Sequence, residues 1–164
     1  IAQDCNGNGF EWTVNAEERN KLWQARHDYS WACLQMCPGS QGFGTDVCVP
    51  ISRLAECVHA TNEKLAELKL MGMIIGHVGD GNFHTTLLVN MDDAAEIARA
   101  EEFVGWQNDM AISMDGTCTG EHGIGQGKRP YLVKELGQGA VDVMGAIKRA
   151  LDPDNIMNPG KLID

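Results

Sequence analysis

Two histidines bracket a glycine-rich turn near the middle of the sequence. His77 and His84 flank the segment Val78-Gly79-Asp80-Gly81-Asn82-Phe83, and short apolar runs lie on either side, at residues 73–75 and 87–89. Because glycine accepts the positive φ of a tight turn, this pattern predicts two antiparallel strands that bring the two imidazoles together. Neutral imidazole is the most common protein ligand for a transition metal. The hairpin is therefore predicted to supply two ligands of a metal site.

A second glycine-rich loop offers the remaining groups that such a site needs. The segment from Gly116 to Gly125 contains Glu121 and His122, a carboxylate and a third imidazole, on a backbone that can approach a ligand closely. A single histidine beside a turn is more often a surface residue without a role. Two histidines at one turn, together with a separate Glu-His pair, favour a metal or acid/base site.

The glycines after His122 match neither nucleotide-binding template. In the run Gly123-Ile124-Gly125-Gln126-Gly127-Lys128, a P-loop would need glycine at position 122 and Ser or Thr at position 129. The dinucleotide fingerprint would need glycine at position 128 and a strand directly before the run. We therefore interpret these glycines as giving the backbone of Glu121 and His122 access to a ligand.

Length and charge restrict the class of protein. The 164 residues suit one domain with a buried core. The formal charge of −10, with 13 Lys and Arg against 23 Asp and Glu, argues against nucleic acid as a partner, because phosphate binding requires basic clusters. No apolar run approaches the roughly twenty residues of a membrane span. The beginning, Ile1-Ala2-Gln3-Asp4, is neither an initiator methionine nor a leader peptide, so we expect a piece of a longer protein.

The six cysteines match no zinc-binding spacing, and a chain of this size does not need disulfides. Reduced, mostly buried thiols in a reducing compartment are therefore predicted.

The order of predicted elements indicates an α+β fold with an antiparallel sheet covered by helices on one face. The elements are a helix from the capping box Asn15–Glu18 to about Met36, a strand from Gly44 to Val49, a helix capped by Ser52, the hairpin, a helix that starts at residues 90–93 and runs through Met110, a glycine-rich loop, and helical pieces at 131–136 and 140–151.

The first predicted helix carries an arginine on an apolar stripe. Leu22, Trp23, Arg26, Ser30 and Cys33 recur at spacings of three and four residues. A guanidinium on an inward-facing stripe must find an anion, whereas a snorkelling arginine would keep its head in water. Both readings of Arg26 are open at this level.

Three segments resemble a known family. The hairpin from His77 to His84, the loop from Gly120 to Gly125 and the tail from Leu151 to Lys161 are similar to the C-terminal substrate domain of FAD-linked D-2-hydroxyacid dehydrogenases of the vanillyl-alcohol-oxidase superfamily. The run from Thr45 to Leu54 resembles the mitochondrial, cytochrome-dependent members. The resemblance implies a ferredoxin-like substrate or cap domain at residues 1–114. Residues 115–164 would form a catalytic loop and a helical tail that packs on a separate flavin domain.

The resemblance also implies roles for single residues. His77, His84 and Glu121 would hold a divalent metal, for which manganese, zinc and ferrous iron are all suitable. The acid/base would be His122. The substrate carboxylate would be bound by Arg26 with help from Ser30, and the cofactor FAD would be contacted by Asn158.

Two positions differ from family members that act on 2-hydroxyglutarate. Gly44 stands in place of a lysine, and Thr86, at a substrate-binding position, stands in place of an asparagine. Both changes remove groups that would anchor a distal carboxylate, so the resemblance favours a small monocarboxylic substrate.

The implied function is oxidation of D-lactate, or a similar small D-2-hydroxy acid, to the 2-oxo acid. Electrons would pass through FAD, held by an N-terminal domain or partner chain, to cytochrome c or another acceptor in the mitochondrion, either in the matrix or at the inner membrane. Whether the substrate loses a hydride or first a Cα proton is open. The alternatives are a D-2-hydroxyglutarate or glycolate dehydrogenase of the same family, a metal-dependent hydrolase in which His122 activates water, and a noncatalytic metal-binding lobe.

Overall fold

The computed structural model describes residue 4 and residues 12–163, and the chain divides into two compact units, Ile1–Pro38 and Gly39–Asp164. The first unit contains helix α1 (Ala16–Met36). Asn15 is its N-cap, because Oδ1 accepts hydrogen bonds from the N–H groups of Glu17 at 2.8 Å and Glu18 at 3.2 Å. The predicted start and end of this helix are confirmed. The reciprocal half of the capping box is replaced, since Asn15 N–H donates to Thr13 Oγ1 at 3.0 Å.

The apolar residues of α1 do not collect on one buried stripe, which corrects the prediction. Leu22 and Trp23 are 52% and 55% exposed, and Cys33 is the one buried residue of the helix. Arg26 is half-buried and Ser30 is exposed. Periodicity alone therefore overstated how far this stripe faces inward.

The second unit is built on a four-stranded antiparallel sheet. Its strands are β1 (Gln41–Gly44), β2 (Val47–Cys48), β3 (Met71–His77) and β4 (Asn82–Val89). Strand β4 lies in the centre, with β3 along one edge and both β1 and β2 along the other. The predicted hairpin is the β3–β4 pair, and the predicted antiparallel α+β fold is confirmed.

The strand predicted from Gly44 to Val49 is interrupted, which is a second correction. The structure has two short strands separated by Thr45 and Asp46. Asp46 is only 1% exposed and its carboxylate accepts hydrogen bonds from a distant loop. The register with β4 is the same on both sides of the gap, and Thr85 N–H donates to the Thr45 hydroxyl oxygen at 2.9 Å, which the local pattern of strand formers could not show.

Two long helices cover one face of the sheet, as predicted. They are α2 (Ile51–Glu67) and α3 (Ala94–Ser113). Asp93 caps α3 by accepting hydrogen bonds from Ala95 N–H at 2.9 Å and Glu96 N–H at 3.2 Å. Ser52 does not cap α2, because the helix begins at Ile51 with Pro50 in the cap position.

The hydrophobic core lies between these two helices and alternate residues of β4. Phe83, Leu87 and Val89 of β4 pack with apolar side chains of α2 and α3, which include Leu54, Cys57, Leu65, Ala100, Phe103 and Ala111. Burying an aliphatic or aromatic side chain of this size contributes about 1.5–3 kcal/mol. Because strand side chains alternate, Asn82, His84 and Thr86 face away from this core.

Helices α4 (Arg129–Leu136) and α5 (Gln138–Leu151) follow the glycine-rich loop, close to their predicted positions. Val143, Ile147 and Leu151 recur at four-residue intervals on α5 and are 59%, 55% and 73% exposed. The helix therefore presents an apolar stripe outside the core. Among the described helices, none has both the length and the hydropathy that a membrane crossing requires.

The five described cysteines, Cys33, Cys37, Cys48, Cys57 and Cys118, form no disulfide among themselves. Cys5 lies outside the described residues.

Candidate functional site

The β3–β4 turn places the two hairpin histidines. Asp80 N–H donates to His77 O at 2.9 Å, and Gly81 adopts φ +77°, which is the positive φ that the sequence predicted. A Cβ at Gly81 would also collide with the carbonyl oxygen of Val49, so glycine is required here for close packing as well.

Both imidazoles lie on the sheet face opposite to α2 and α3. The β3–β4 register pairs His77 with Asn82 and Ile75 with His84, and paired residues share a face. The two ring centroids are 6.0 Å apart in an edge-to-face arrangement. The hairpin thus brings the two histidines together.

Glu121 completes a cluster of three possible ligands. Its Oε1 atom lies 2.9 Å from His84 Nε2 and 3.4 Å from His77 Nε2. One ligand atom from each of the three residues lies within 4.8 Å of the others. Bonds of about 2.0–2.2 Å to a tetrahedral metal separate neighbouring ligand atoms by roughly 3.3 Å, so the spacing and the donor types fit one divalent ion. Metal binding itself stays a prediction.

His122 lies beside this cluster and is open to its surroundings. Its ring stacks on His84 with centroids 4.9 Å apart and an interplanar angle of 8°, and its Nε2 atom is 3.9 Å from Glu121 Oε1. The His122 side chain is 59% exposed, whereas that of His84 is 11% exposed. The buried histidine is suited to hold an ion, and the exposed one can reach a molecule that enters from outside.

The loop that carries Glu121 and His122 is anchored to the sheet at both ends. Thr117 exchanges two backbone hydrogen bonds with Cys48 of β2, at 2.8 Å and 3.2 Å. At the other end, Lys128 Nζ donates to Asp46 O at 2.5 Å. Gly123 and Gly125 between them adopt φ +78° and +53°.

The centre of this loop wraps around the carboxylate of Asp46. Three consecutive backbone N–H groups, those of Gly120, Glu121 and His122, donate to its Oδ2 atom at 2.9, 3.1 and 2.9 Å. The hydroxyl of Thr119 donates to the same oxygen at 3.0 Å. The loop therefore curls over the sheet face on which His84 lies.

Asp46 is ionised inside this set of donors. Burial opposes the charged form, but hydrogen bonds from His122 N–H and the Asn82 amide, together with the Lys128 ammonium, outweigh it and hold the pKa of the carboxyl well below its usual range. Asp46, His84 and His122 also form a second group with metal-like spacing. Because Oδ2 already accepts four hydrogen bonds from the loop, we do not regard Asp46 as a metal ligand.

Thr86 lies next to His84 on the same face of β4. Its register partner on β1 is Gly44, and its partner on β3 is Met73. Gly44 and Thr86, the two positions for which the resemblance predicts a small substrate, are therefore neighbours beside the histidine cluster. A Cβ added at Gly44 would meet no described atom within 4 Å.

The remaining predicted site residues lie elsewhere in the chain. Asn158 is exposed in the C-terminal tail at φ +47°, where it lines a 520 Å³ cavity with Ile147 and Met157. Arg26 and Ser30 belong to the first compact unit. Their roles in cofactor and substrate binding stay predictions.

Sequence reasoning missed Asp46, Asn82 and Lys128 as parts of this site. The available signal was a charged residue inside a run of strand formers, Thr45-Asp46-Val47-Cys48-Val49, because an aspartate in a buried strand must have partners.

Comparison with known proteins gives several relatives over most of the chain. The chain is 46% identical over 164 residues to a probable mitochondrial D-lactate dehydrogenase of Danio rerio, a match that covers 100% of this chain and 33% of that protein. It is 45% identical to the mitochondrial D-lactate dehydrogenase [cytochrome] of Arabidopsis thaliana, covering 99% of this chain and 29% of that protein. A glycolate oxidase subunit GlcD of Bacillus subtilis is 38% identical over 89% of the chain and 31% of its own length. The chain thus spans about a third of these relatives.

A solved structure shows a similar fold. The 4-ethylphenol oxidase of Gulosibacter chungangensis superposes with a TM-score of 0.62 over 92% of this chain and 31% of that one, at 17% sequence identity. The family described as FAD linked oxidases, C-terminal domain, matches residues 1–162. Since that match covers nearly every residue, the chain belongs to the C-terminal domain family of the FAD-linked oxidases.

Proposed function

We propose that this chain is the substrate-binding part of an FAD-dependent D-2-hydroxyacid dehydrogenase that oxidises D-lactate to the 2-oxo acid. The observation that carries the proposal is the convergence of His77, His84 and Glu121 on one face of the sheet, with His122 stacked beside them. The similarity of the whole chain to the C-terminal third of D-lactate dehydrogenases supports the same reading.

The three possible metal ligands and the neighbouring His122 have separate roles in this proposal. His77, His84 and Glu121 would hold one divalent metal, manganese, zinc or ferrous iron, which would polarise the hydroxyl and carboxylate of the acid. His122, whose Nε2 atom lies 3.9 Å from Glu121 Oε1, would accept the proton of a hydroxyl bound at the cluster. FAD, when bound, would accept the two electrons.

The partner domain would cover the C-terminal part of the chain. The exposed stripe of Val143, Ile147 and Leu151 on α5 is apolar surface of the kind that packs against another domain. Asn158, in the tail beside it, would contact FAD there. Cytochrome c, or another acceptor, would receive the electrons in the matrix or at the inner membrane of the mitochondrion; the names of two relatives, which include the words cytochrome and mitochondrial, support the kind of acceptor and the organelle.

Arg26 of α1 would bind the substrate carboxylate, with help from Ser30. Replacing Arg26 with lysine is expected to raise KM for D-lactate about tenfold or more, because the charge stays but the planar, two-pronged donor is lost. Steady-state kinetics of the complete flavin-containing protein measures this, with Arg19→Lys on the same helix as the control. An unchanged KM would mean that Arg26 does not bind the substrate and is a snorkelling arginine whose head stays in water.

The surroundings of Thr86 favour a small substrate. With Gly44 on one side and Met73 on the other, the described chain places no charged side chain in this row of the sheet. The direct test is anaerobic mixing of the complete protein with D-lactate, L-lactate and D-2-hydroxyglutarate while flavin absorbance is followed. Fast bleaching with D-lactate alone supports the proposal. Bleaching by none of the three acids contradicts it.

The double variant Gly44→Lys with Thr86→Asn is expected to shift this preference. A new cation and amide beside His84 would anchor a distal carboxylate, and a hydrogen bond to a charged group contributes about 1.5–3 kcal/mol. The ratio of kcat/KM for D-2-hydroxyglutarate over D-lactate should rise about 10- to 100-fold. Gly42→Lys is the matched control, because Gly42 lies on the same strand but pairs with Leu88, which is two residues further from His84 along β4 than Thr86. An unchanged ratio would mean that the substrate side chain lies elsewhere.

Glycolate is the nearest alternative substrate, and the glycolate oxidase subunit among the relatives favours testing it. A metal-dependent hydrolase would use the same residues to activate water. It would show turnover without any change in flavin absorbance, so the same experiment separates the two classes.

A further inference from the structure

Asp46 lies at the centre of the contacts that shape the candidate site, yet none of the functions proposed above uses it. It is 1% exposed, and its two carboxylate oxygens face two different parts of the site. Oδ2 faces the loop that carries Glu121 and His122, whereas Oδ1 accepts a hydrogen bond from the Asn82 amide of β4 at 2.8 Å and a longer one from Glu121 N–H at 3.3 Å.

The contacts of Oδ2 explain how two sequence neighbours can face the same side. In an extended segment, the side chains of Glu121 and His122 would point in opposite directions. Successive N–H groups that converge on one anion require a curled backbone instead. Here the N–H groups of residues 120, 121 and 122 all donate to Asp46 at 2.9–3.1 Å, and both side chains lie next to His84.

The contacts of Oδ1 bear on the tautomer of His84. Nδ1 of His84 is buried and lies 3.5 Å from Oδ1, and it has no closer hydrogen-bond partner among the described residues. Asp46 Oδ1 is the carboxylate oxygen next to Nδ1, although the 3.5 Å contact is not a hydrogen bond, and a proton on Nδ1 would leave the lone pair of Nε2 for a cation held between Nε2 and Glu121. A carboxylate behind a metal-binding histidine fixes the ring and its tautomer in this way.

We propose that Asp46 is a positioning residue that assembles the site from both sides. It curls the loop so that Glu121 and His122 face the same point, and it orients His84 so that Nε2 is free to bind an ion. The consequence for metal affinity rests on the proposed function. The loop geometry does not.

Asp46→Asn is the main test, because the amide keeps the size but presents an NH₂ group to donors that need an acceptor. Asp152→Asn is the matched control, since Asp152 is also buried and accepts hydrogen bonds from the N–H groups of Ile156 at 3.0 Å and Met157 at 2.9 Å. The complete protein would be used throughout. Thermal unfolding of both variants would show whether they fold equally well.

The first measurement is hydrogen exchange of single backbone amides. In Asp46→Asn, exchange at Gly120, Glu121 and His122 should accelerate at least about tenfold while the strand amides of β4 stay protected. In Asp152→Asn, the acceleration should fall on residues 156 and 157 instead. Wild-type protection at 120–122 in Asp46→Asn would overturn the proposal.

The second measurement is calorimetric titration with Zn²⁺. Loss of an outer-shell carboxylate typically weakens metal binding 10- to 100-fold, and we expect that loss in Asp46→Asn and wild-type affinity in Asp152→Asn. Equal loss in both variants would reduce Asp46 to a general stabilising role and overturn the proposal. A wild-type protein that binds no Zn²⁺ would contradict the proposed metal site but leave the exchange test decisive.

A third measurement needs no variant and so does not depend on Asp46→Asn folding. The ¹⁵N shifts of the His84 ring in Zn²⁺-loaded wild-type protein report which nitrogen carries the proton and which one binds the ion. Protonation on Nδ1 supports the proposal. Protonation on Nε2 would show that Asp46 does not orient this ring.

Discussion

Replacing His122 with asparagine is expected to slow flavin reduction by D-lactate about 10² to 10⁴-fold, the usual contribution of a general base. The proposal places the Nε2 atom of His122 beside the cluster, with no part in holding the metal. Asparagine keeps a polar side chain of similar reach but cannot accept the hydroxyl proton as an imidazole does. Rapid mixing of the complete protein with D-lactate, followed by flavin absorbance, measures the effect.

The control for this variant is His59→Asn. His59 is an exposed histidine of α2 whose Nε2 atom lies 3.5 Å from the carboxylate of Glu63, and we give it no role. Zn²⁺ affinity should be unchanged in both variants. If His122→Asn bleaches the flavin at the wild-type rate with metal retained, the base lies outside this chain's loop, and the assignment of His122 is wrong.

Replacing His84 with alanine is expected to have the second large effect, on metal binding itself. His84 is the most buried member of the cluster, and its Nε2 atom makes the shortest contact to Glu121 Oε1, at 2.9 Å. Removing a direct ligand should weaken Zn²⁺ binding by more than the 10- to 100-fold typical of outer-shell partners. Flavin reduction should fall in parallel, because the acid would lose its anchor at the cluster.

Calorimetry with Zn²⁺ and metal analysis of the purified protein measure this loss, with His59→Ala as the control. A chelator should inactivate the wild-type protein, and added metal should restore it, while His84→Ala should not recover. Wild-type metal content in His84→Ala would contradict the assignment of His77, His84 and Glu121 as one ligand set.

Local chemistry explains why several elements were predictable from the sequence. Asn15 and Asp93 cap helices because their side-chain oxygens satisfy free N–H groups two or three residues ahead. The β3–β4 hairpin follows from Gly81 and the apolar runs on either side, and strand alternation then places both histidines on one face. These features depend on residues that are close in the sequence.

Other predictions were wrong where residues far apart in the sequence, and not the local pattern, decide the structure. The strand expected from Gly44 to Val49 is interrupted at Thr45 and Asp46, and the Asp46 carboxylate bonds to loop residues 73 to 76 positions away along the chain. The stripe on α1 has helical spacing, yet Leu22 and Trp23 are half exposed, because periodicity reports a shared face but not what covers it.

The sequence by itself determined which groups are available for chemistry and the hairpin that joins two of them. His77 and His84 are brought together by one turn and one register, both of which are local. Only the tertiary structure decided that Glu121 and His122 join them on the same side. That arrangement depends on a loop anchored at Cys48 and curled around the Asp46 carboxylate, and hydrogen bonds between segments so far apart leave no periodic signal in the sequence.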